Sequence, residues 1–293
     1  MDKYHHLIEH TKVTADDAAV KTAIEKIIAD NLEQHRKPET YRFLLSSIDL
    51  TTLNATDSPQ SVADFTERVN KFDELHPDLP NVAAICVYPN FVPVVRTVLD
   101  VTKVRVAAVS GGFPSSQTFP EVKVAETALA IDAGADEIDI VLNLGYYLDG
   151  DWESACDEIS EQKDACRDSR MKVILETGAL KTAENIRNAS LLAMYSGADF
   201  IKTSTGKGYP GASLEAAYIM AQCIKEYFDA TGRKVGFKAS GGVSTAEDAL
   251  MYYTVIKAVL GEEWLTPELF RIGASRLANN ILSVVLEQEI THF

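Results

Sequence analysis

The chain has 293 residues, 46 % of them hydrophobic, and sets 43 acidic side chains against 28 basic ones for a net charge of −15. That composition supports a large buried core and excludes the basic footprint of a nucleic-acid or anionic-membrane binder, although a few local lysines can still dominate one pocket and receive a small anion. No stretch reaches the roughly 18 apolar residues a membrane span needs, and the opening MDKYHHLIEHTKVTADD lacks the apolar core of a secretion signal, so a cytoplasmic protein is expected.

The first predicted element is a helix over 14–35, expected to cover one end of the fold. Short Val- and Ile-rich strands are then predicted at 46–50 (SSIDL), 82–88 (VAAICVY), 104–109 (VRVAAV), 137–142 (EIDIVL) and 172–176 (KVILE). Most are continuously apolar, as strands buried on both faces should be. A capped helix runs from Thr182 to Gly197, then come a strand at 199–203 (DFIKT), a helix from Ser213 to Gly232 and a strand at 235–239 (VGFKA). Thr245-x-x-Asp opens the next helix, which ends at Gly261, and 270–274 (FRIGA) is the eighth strand.

Eight strand–helix alternations fit an α/β fold of the (β/α)8 TIM barrel class with an extra N-terminal helix, for which about 250 residues is usual. The rival, a doubly wound open sheet, needs a Gly-x-Gly-x-x-Gly turn after an early strand, and none is present. A single domain over 1–293 is expected, with 1–42 as a helical extension and 43–293 as the barrel. The four cysteines, Cys86, Cys156, Cys166 and Cys223, show no metal-binding spacing. Cys156 and Cys166 fall on one predicted helix, whose rise of about 1.5 Å per residue sets them too far apart to bridge, so reduced thiols are expected.

Active sites of such barrels lie at the C-terminal ends of the strands. There the apolar strands carry charges. Lys202 interrupts DFIKT and Lys238 interrupts VGFKA, while Glu137, Asp139 and Val141 share one face of EIDIV. A free lysine has a pKa of about 10.4 and is almost wholly protonated at neutral pH. A second ammonium nearby, with partial burial, disfavours the charged form. A depression of about three units corresponds to roughly 4 kcal/mol and makes imine formation with a carbonyl practical. Asp139 is then placed to shuttle protons. Lysines at strand ends are also commonly solvated or paired with a carboxylate, and composition and spacing alone leave both readings open.

The loops TSTGKG after Lys202, SGGVST after Lys238 and GASRLANN after the eighth strand suit a phosphate, because small residues let backbone N–H groups and the adjoining helix N-termini approach an anion. His5, His6, His10, His35, His76 and His292 all avoid the strand ends, against a zinc-dependent aldolase or hydrolase and against a Ser-His-Asp triad. No nicotinamide or flavin fingerprint is present, and pyridoxal phosphate has only a weak case. No cofactor and no metal are expected.

The segments SSIDLTTL, AAICVYPNFV, GADEIDIVLN, KVILETGAL, ADFIKTSTGKG, VGFKASGGVSTAEDA and RIGASR occur in the order found in deoxyribose-phosphate aldolases, and from about Ser46 to Asn280 the chain resembles that family. The resemblance implies a cofactor-free class I aldolase that reversibly cleaves 2-deoxy-D-ribose 5-phosphate to D-glyceraldehyde 3-phosphate and acetaldehyde. It implies Lys202 as the Schiff-base lysine, Lys238 as the lysine that perturbs it and Asp139 as proton donor and acceptor. Asp49 and Thr205 would contact substrate hydroxyls, and Gly206, Lys207, Gly241, Gly242, Gly273 and Ser275 would hold the phosphate. Cys86 would line the pocket without acting as a nucleophile. The implied partners are the phosphorylated sugar and acetaldehyde, with no nucleic acid and no membrane, and a homodimer is compatible with the chain. Two positions depart from the family: Arg276 stands where a second serine is common, and the chain ends in Phe293 where some members use a tyrosine. Other Schiff-base barrel enzymes, such as a transaldolase-like or keto-acid aldolase, share the lysine logic. A phosphosugar isomerase or binding protein would share only the glycine loops.

Overall fold

In the computed structural model, which describes residues 3–293, eight parallel strands each pair with their neighbours in sequence, and the last returns to the first. They are β1 (Ile48–Thr51), β2 (Ala84–Val87), β3 (Arg105–Val109), β4 (Glu137–Val141), β5 (Arg170–Ile174), β6 (Phe200–Lys202), β7 (Gly236–Ser240) and β8 (Phe270–Ala274). The β8–β1 pairing, Asp49 opposite Gly273, closes the barrel. The expected (β/α)8 barrel is therefore the fold.

Alternation sorts each strand between two environments. Ile48, Leu50, Ile85, Val87, Val106 and Ile138 face outward into one large apolar core shared with the surrounding helices. The inward positions are divided. On β2 and β3 they are small and apolar, and Ala84, Cys86, Ala107 and Val109 form a separate cluster with Leu53. From β4 round to β1 the inward positions carry Glu137, Asp139, Lys172, Lys202, Lys238, Arg271 and Asp49, all at most 4 % exposed. A barrel interior this rich in charge is costly unless every ion is paired, and the pairing defines the site.

The helices begin and end where the capping residues predict. Thr182, Ser213 and Thr245 cap Ala183–Tyr195, Leu214–Thr231 and Ala246–Leu260, with a reciprocal Thr245–Asp248 capping box on the last. The extra N-terminal helix runs Asp17–His35, capped by Asp16, and is preceded by a short helix, Lys3–Glu9, that the sequence pattern does not predict. Its position differs from expectation. It lies along the flank of the barrel against the helices Leu214–Thr231 and Ala246–Leu260, with His35 bonded to Thr254 at 3.0 Å and Arg36 to Glu247 at 2.6 Å. The reason is its narrow buried stripe, Val20, Ile24 and His35, which fits a seam between two helices and is too slight to seal a barrel end. At the N-terminal ends of the strands a cavity of about 850 Å³ opens between Arg96, Arg105, Asp136 and Arg271.

The helix Pro38–Ser46 crosses the expected border at 42/43 and delays β1 to Ile48, because Ser46 belongs to its last turn and Ser47 terminates it. Cys156 lies in the helix Trp152–Ala165 and Cys166 just beyond it, and all four cysteines are buried thiols. The C-terminal residues pack outside the barrel. Phe293 packs at a tilt against Phe72, ring centroids 5.2 Å apart, and exchanges two hydrogen bonds with Asn279, which ties the tail to the outer helices. Among the described residues no helix is long and apolar enough to cross a membrane.

Candidate active site

Strand register places the charges in layers. Lys202 and Lys238 are direct partners across β6 and β7, Asp139 is opposite Lys172 across β4 and β5, and Lys238 is opposite Arg271 across β7 and β8. Asp139 is the hub. Its Oδ2 accepts from Lys202 Nζ and from Lys238 Nζ, each at 2.8 Å, and its Oδ1 accepts from Lys172 Nζ at 2.8 Å. Below it, Asp49 binds Lys238 at 2.5 Å through Oδ2 and Arg271 at 2.5 Å through Oδ1. Glu137 closes the network on Arg271 at 2.9 Å and Lys172 at 2.8 Å.

Four enclosed cations thus face three enclosed carboxylates, so one proton is in excess. Its place is set by environment. Burial pushes the Lys202 pKa below the ordinary lysine value; Asp139 pulls against that shift, and the Lys238 charge reinforces it. Lys238 moves the other way, since Asp139 and Asp49 together outweigh the cost of its burial and hold its charge. Lys172 is held charged in the same manner by Asp139 and Glu137. Asp139 is kept ionised well below the usual carboxylate range, burial being outweighed by Lys172, Lys202 and Lys238. Release of a proton from Lys202 leaves three cations on three carboxylates. Burial is the larger cause of the Lys202 shift and the paired ammonium a smaller one, which reorders the weights expected from sequence.

Above Lys202 opens a pocket of about 410 Å³, walled by Thr205, Lys207, Gly241, Gly242 and Ser275 and including Gly206, Gly273 and Arg276. Gly241 and Gly242 both have φ of +83°, a backbone region L side chains rarely adopt, and this turns the loop after β7 into the pocket wall. Gly273 serves a different need: a Cβ there would stand 3.0 Å from Lys238 Cε, so the glycine makes room for the lysine. Lys207 reaches across the mouth to the carbonyl of Leu53 at 2.7 Å.

The residues expected from sequence are therefore gathered at one barrel end, with two differences. Asp49 sits one layer deeper than a substrate contact; it is fully buried, is absent from the pocket wall, and has both oxygens on Lys238 and Arg271. Cys86, expected in the pocket wall, is instead fully buried in the inner apolar cluster and absent from that wall, and burial raises its thiol pKa. Sequence reasoning passes over Lys172, Arg271 and Glu176. Lys172 and Arg271 carry the same signal as Lys202, a charge inside an apolar strand, but stand near strand beginnings, where an exposed end is the ordinary reading. Glu176 reads in the sequence as the end of a strand; in the structure it lies beyond β5 and binds the Thr205 hydroxyl at 2.5 Å.

Residues 43–277 match the DeoC/LacD family of aldolases. The chain is 40 % identical to human deoxyribose-phosphate aldolase over 261 residues, covering 84 % of this chain and 79 % of that one. It is also 40 % identical to the deoxyribose-phosphate aldolase of Agrobacterium fabrum, covering 87 % and 95 %. The structure of a tetrameric deoxyribose phosphate aldolase from Aeropyrum pernix superposes with a TM-score of 0.67 at 24 % identity, over 88 % of this chain and 96 % of that one, a likeness of fold.

Proposed function

The chain belongs to the DeoC/LacD aldolase family, and from that premise we propose that it cleaves 2-deoxy-D-ribose 5-phosphate reversibly to D-glyceraldehyde 3-phosphate and acetaldehyde through an imine on Lys202. The observation that carries the reading is the shared oxygen of Asp139. It holds a buried lysine with a depressed pKa beside a second lysine that keeps its charge, at the floor of a pocket walled by glycine loops.

Neutral Lys202 adds to the aldehyde carbon of the open-chain sugar, and the carbinolamine loses water to give the imine. Loss of the proton from the C3 hydroxyl then breaks the C2–C3 bond. Its electron pair passes into the imine to leave an enamine, and glyceraldehyde 3-phosphate departs. Protonation of the enamine carbon and hydrolysis release acetaldehyde and restore the amine. Asp139 takes and returns these protons. Once Lys202 has lost its charge, Asp139 Oδ2 is left with one cation instead of two and becomes more basic. Lys238 remains the charge that disfavours a second ammonium beside it. Gly206, Lys207, Gly241, Gly242, Gly273 and Ser275 hold the phosphate, assisted by the N-terminus of the helix Leu277–Val285. Asp49 acts through Lys238, and Thr205 faces the substrate hydroxyls. The proposal includes a single domain over 1–293, a cytoplasmic setting and a homodimer.

The experiment is direct. Incubation with 2-deoxy-D-ribose 5-phosphate should yield acetaldehyde and glyceraldehyde 3-phosphate, and borohydride with acetaldehyde should add one reduced two-carbon unit at Lys202. Lys202→Ala should abolish both. Binding of the sugar without C–C cleavage or covalent trapping would instead establish an isomerase or a binding protein.

A further inference from the structure

Glu176 is an ionisable residue only 2 % exposed, two positions beyond Ile174 at the pocket end of β5. Its backbone is left-handed, with φ of +56° and ψ of +59°, a region that non-glycine residues enter only when the surroundings impose it. Its carboxylate is spent on one neighbour. It accepts the Thr205 hydroxyl at 2.5 Å and the Thr205 backbone N–H at 3.3 Å from each oxygen. Thr205 stands in the pocket wall beside Lys202.

A threonine hydroxyl has one proton and two lone pairs. Burial raises the Glu176 carboxyl pKa, and the two kinds of Thr205 hydrogen bond and the Lys202 charge pull against that rise. As a carboxylate, Glu176 takes the Thr205 proton in the short bond in preference to the alternative acceptor, the Lys207 carbonyl at 3.2 Å. One lone pair accepts the Lys207 N–H at 3.0 Å. What remains for the pocket is an acceptor. We propose that Glu176 is a positioning residue that fixes Thr205 as a hydrogen-bond acceptor, so that the site selects a sugar phosphate presenting a hydroxyl donor at that point. The same chain of bonds continues through Lys207 to Leu53 and ties the loops after β5, β6 and β1 together. The inference rests on the aldolase reading and adds the reason for the polarity of its Thr205 contact.

The test compares Glu176→Ala, the near-isosteric Glu176→Gln and Thr205→Val on two substrates. Acetaldehyde has no hydroxyl to offer, so borohydride trapping at Lys202 should proceed at the wild-type rate in Glu176→Ala and Glu176→Gln. For 2-deoxy-D-ribose 5-phosphate, kcat/KM should fall roughly three- to tenfold in Glu176→Ala and Thr205→Val, the worth of one hydrogen bond between neutral hydroxyls. Glu176→Gln, which keeps one acceptor oxygen for the hydroxyl, should recover part of it. The double variant Glu176→Ala/Thr205→Val should lose no more than Thr205→Val alone. Wild-type cleavage in Glu176→Ala, multiplicative losses in the double variant, or slowed acetaldehyde trapping in either single Glu176 variant would each overturn the positioning role. A wild-type enzyme that fails to cleave the sugar phosphate would instead refute the aldolase reading itself.

Discussion

Lys202 and Lys238 donate to one and the same oxygen, Oδ2 of Asp139, each at 2.8 Å, from strands whose register makes them direct partners. The two nitrogens nevertheless have opposite tendencies. Lys238 also binds Asp49 and keeps its charge, whereas among the described residues Lys202 has Asp139 alone of the carboxylates within hydrogen-bond distance, and burial lowers its pKa. In the proposed mechanism this asymmetry in the second carboxylate is what makes Lys202, and not Lys238, the nucleophile.

Removing the second lysine should expose this asymmetry. Lys238→Leu deletes a charge that lowers the Lys202 pKa and frees Asp139 to raise it, so both changes push Lys202 toward the ordinary value of about 10.4. Imine trapping by borohydride should slow at pH 7 and recover toward pH 9 to 10. Unchanged trapping at pH 7 would mean that Lys238 does not govern the nucleophile. Asp139→Asn should behave differently, with turnover low at every pH while Lys202 can still be trapped, and a pH–rate profile beside pH-dependent trapping separates the two.

Lys172 is no part of the site expected from sequence, yet it bridges Asp139 and Glu137 at 2.8 Å each. Lys172→Met fills the same space but strands two buried carboxylates with one cation fewer. Breaking a buried ion pair from one side costs about 3–5 kcal/mol, so the urea midpoint should fall markedly. A variant as stable as wild type would show the lysine to be dispensable to the network.

The legible part of this protein is the part encoded by short-range pattern. The capping residues Thr182, Ser213 and Thr245 place their helices, and apolar strands broken by Lys202, Lys238 and Asp139 point to one barrel end, because alternation and strand polarity are local properties. The weights of the charges are not legible. Whether Lys238 is raised or lowered depends on Asp49, 189 residues away in sequence and adjacent only after β8 closes onto β1. Glu176 is hidden for a related reason: KVILE reads as one continuous strand, while the chain leaves the sheet after Ile174 and turns the glutamate into the pocket wall's support through a left-handed residue. The flank position of the helix Asp17–His35 likewise depends on a seam between two helices far along the chain.

The proposed phosphate end of the pocket can be tested by substrate pairs. Lys207→Ala removes a cation from the wall, and Ser275→Ala removes a hydroxyl beside Gly273. Each should raise KM for 2-deoxy-D-ribose 5-phosphate about tenfold or more, the worth of one charge-assisted bond, while leaving KM for unphosphorylated deoxyribose nearly unchanged. Equal effects on both sugars would place the phosphate elsewhere.

The network also fixes how stability depends on pH. Asp49, Glu137 and Asp139 all have pKa values below their ordinary range, because the enclosed lysines and Arg271 outweigh the cost of burying them. A carboxylate whose folded pKa is depressed stabilises the fold fully above its unfolded value, about 4, and that contribution drains away as pH falls from there toward the folded value. Lys172 and Lys238, with raised pKa values, contribute fully below about 10.4 and lose their share only as pH climbs beyond it. Lys202 has the opposite sign. Its depressed pKa means the unfolded chain binds the extra proton, so stability gains as pH rises through its folded value. Urea midpoints should therefore be highest from neutral to moderately alkaline pH and fall steeply below about pH 4. Asp49→Asn removes one of the three carboxylates and should start less stable at pH 7 but lose less between pH 5 and pH 3. A wild-type midpoint that stays level down to pH 3, or an Asp49→Asn curve parallel to it, would show that the enclosed carboxylates do not supply the acid-sensitive part of the stability.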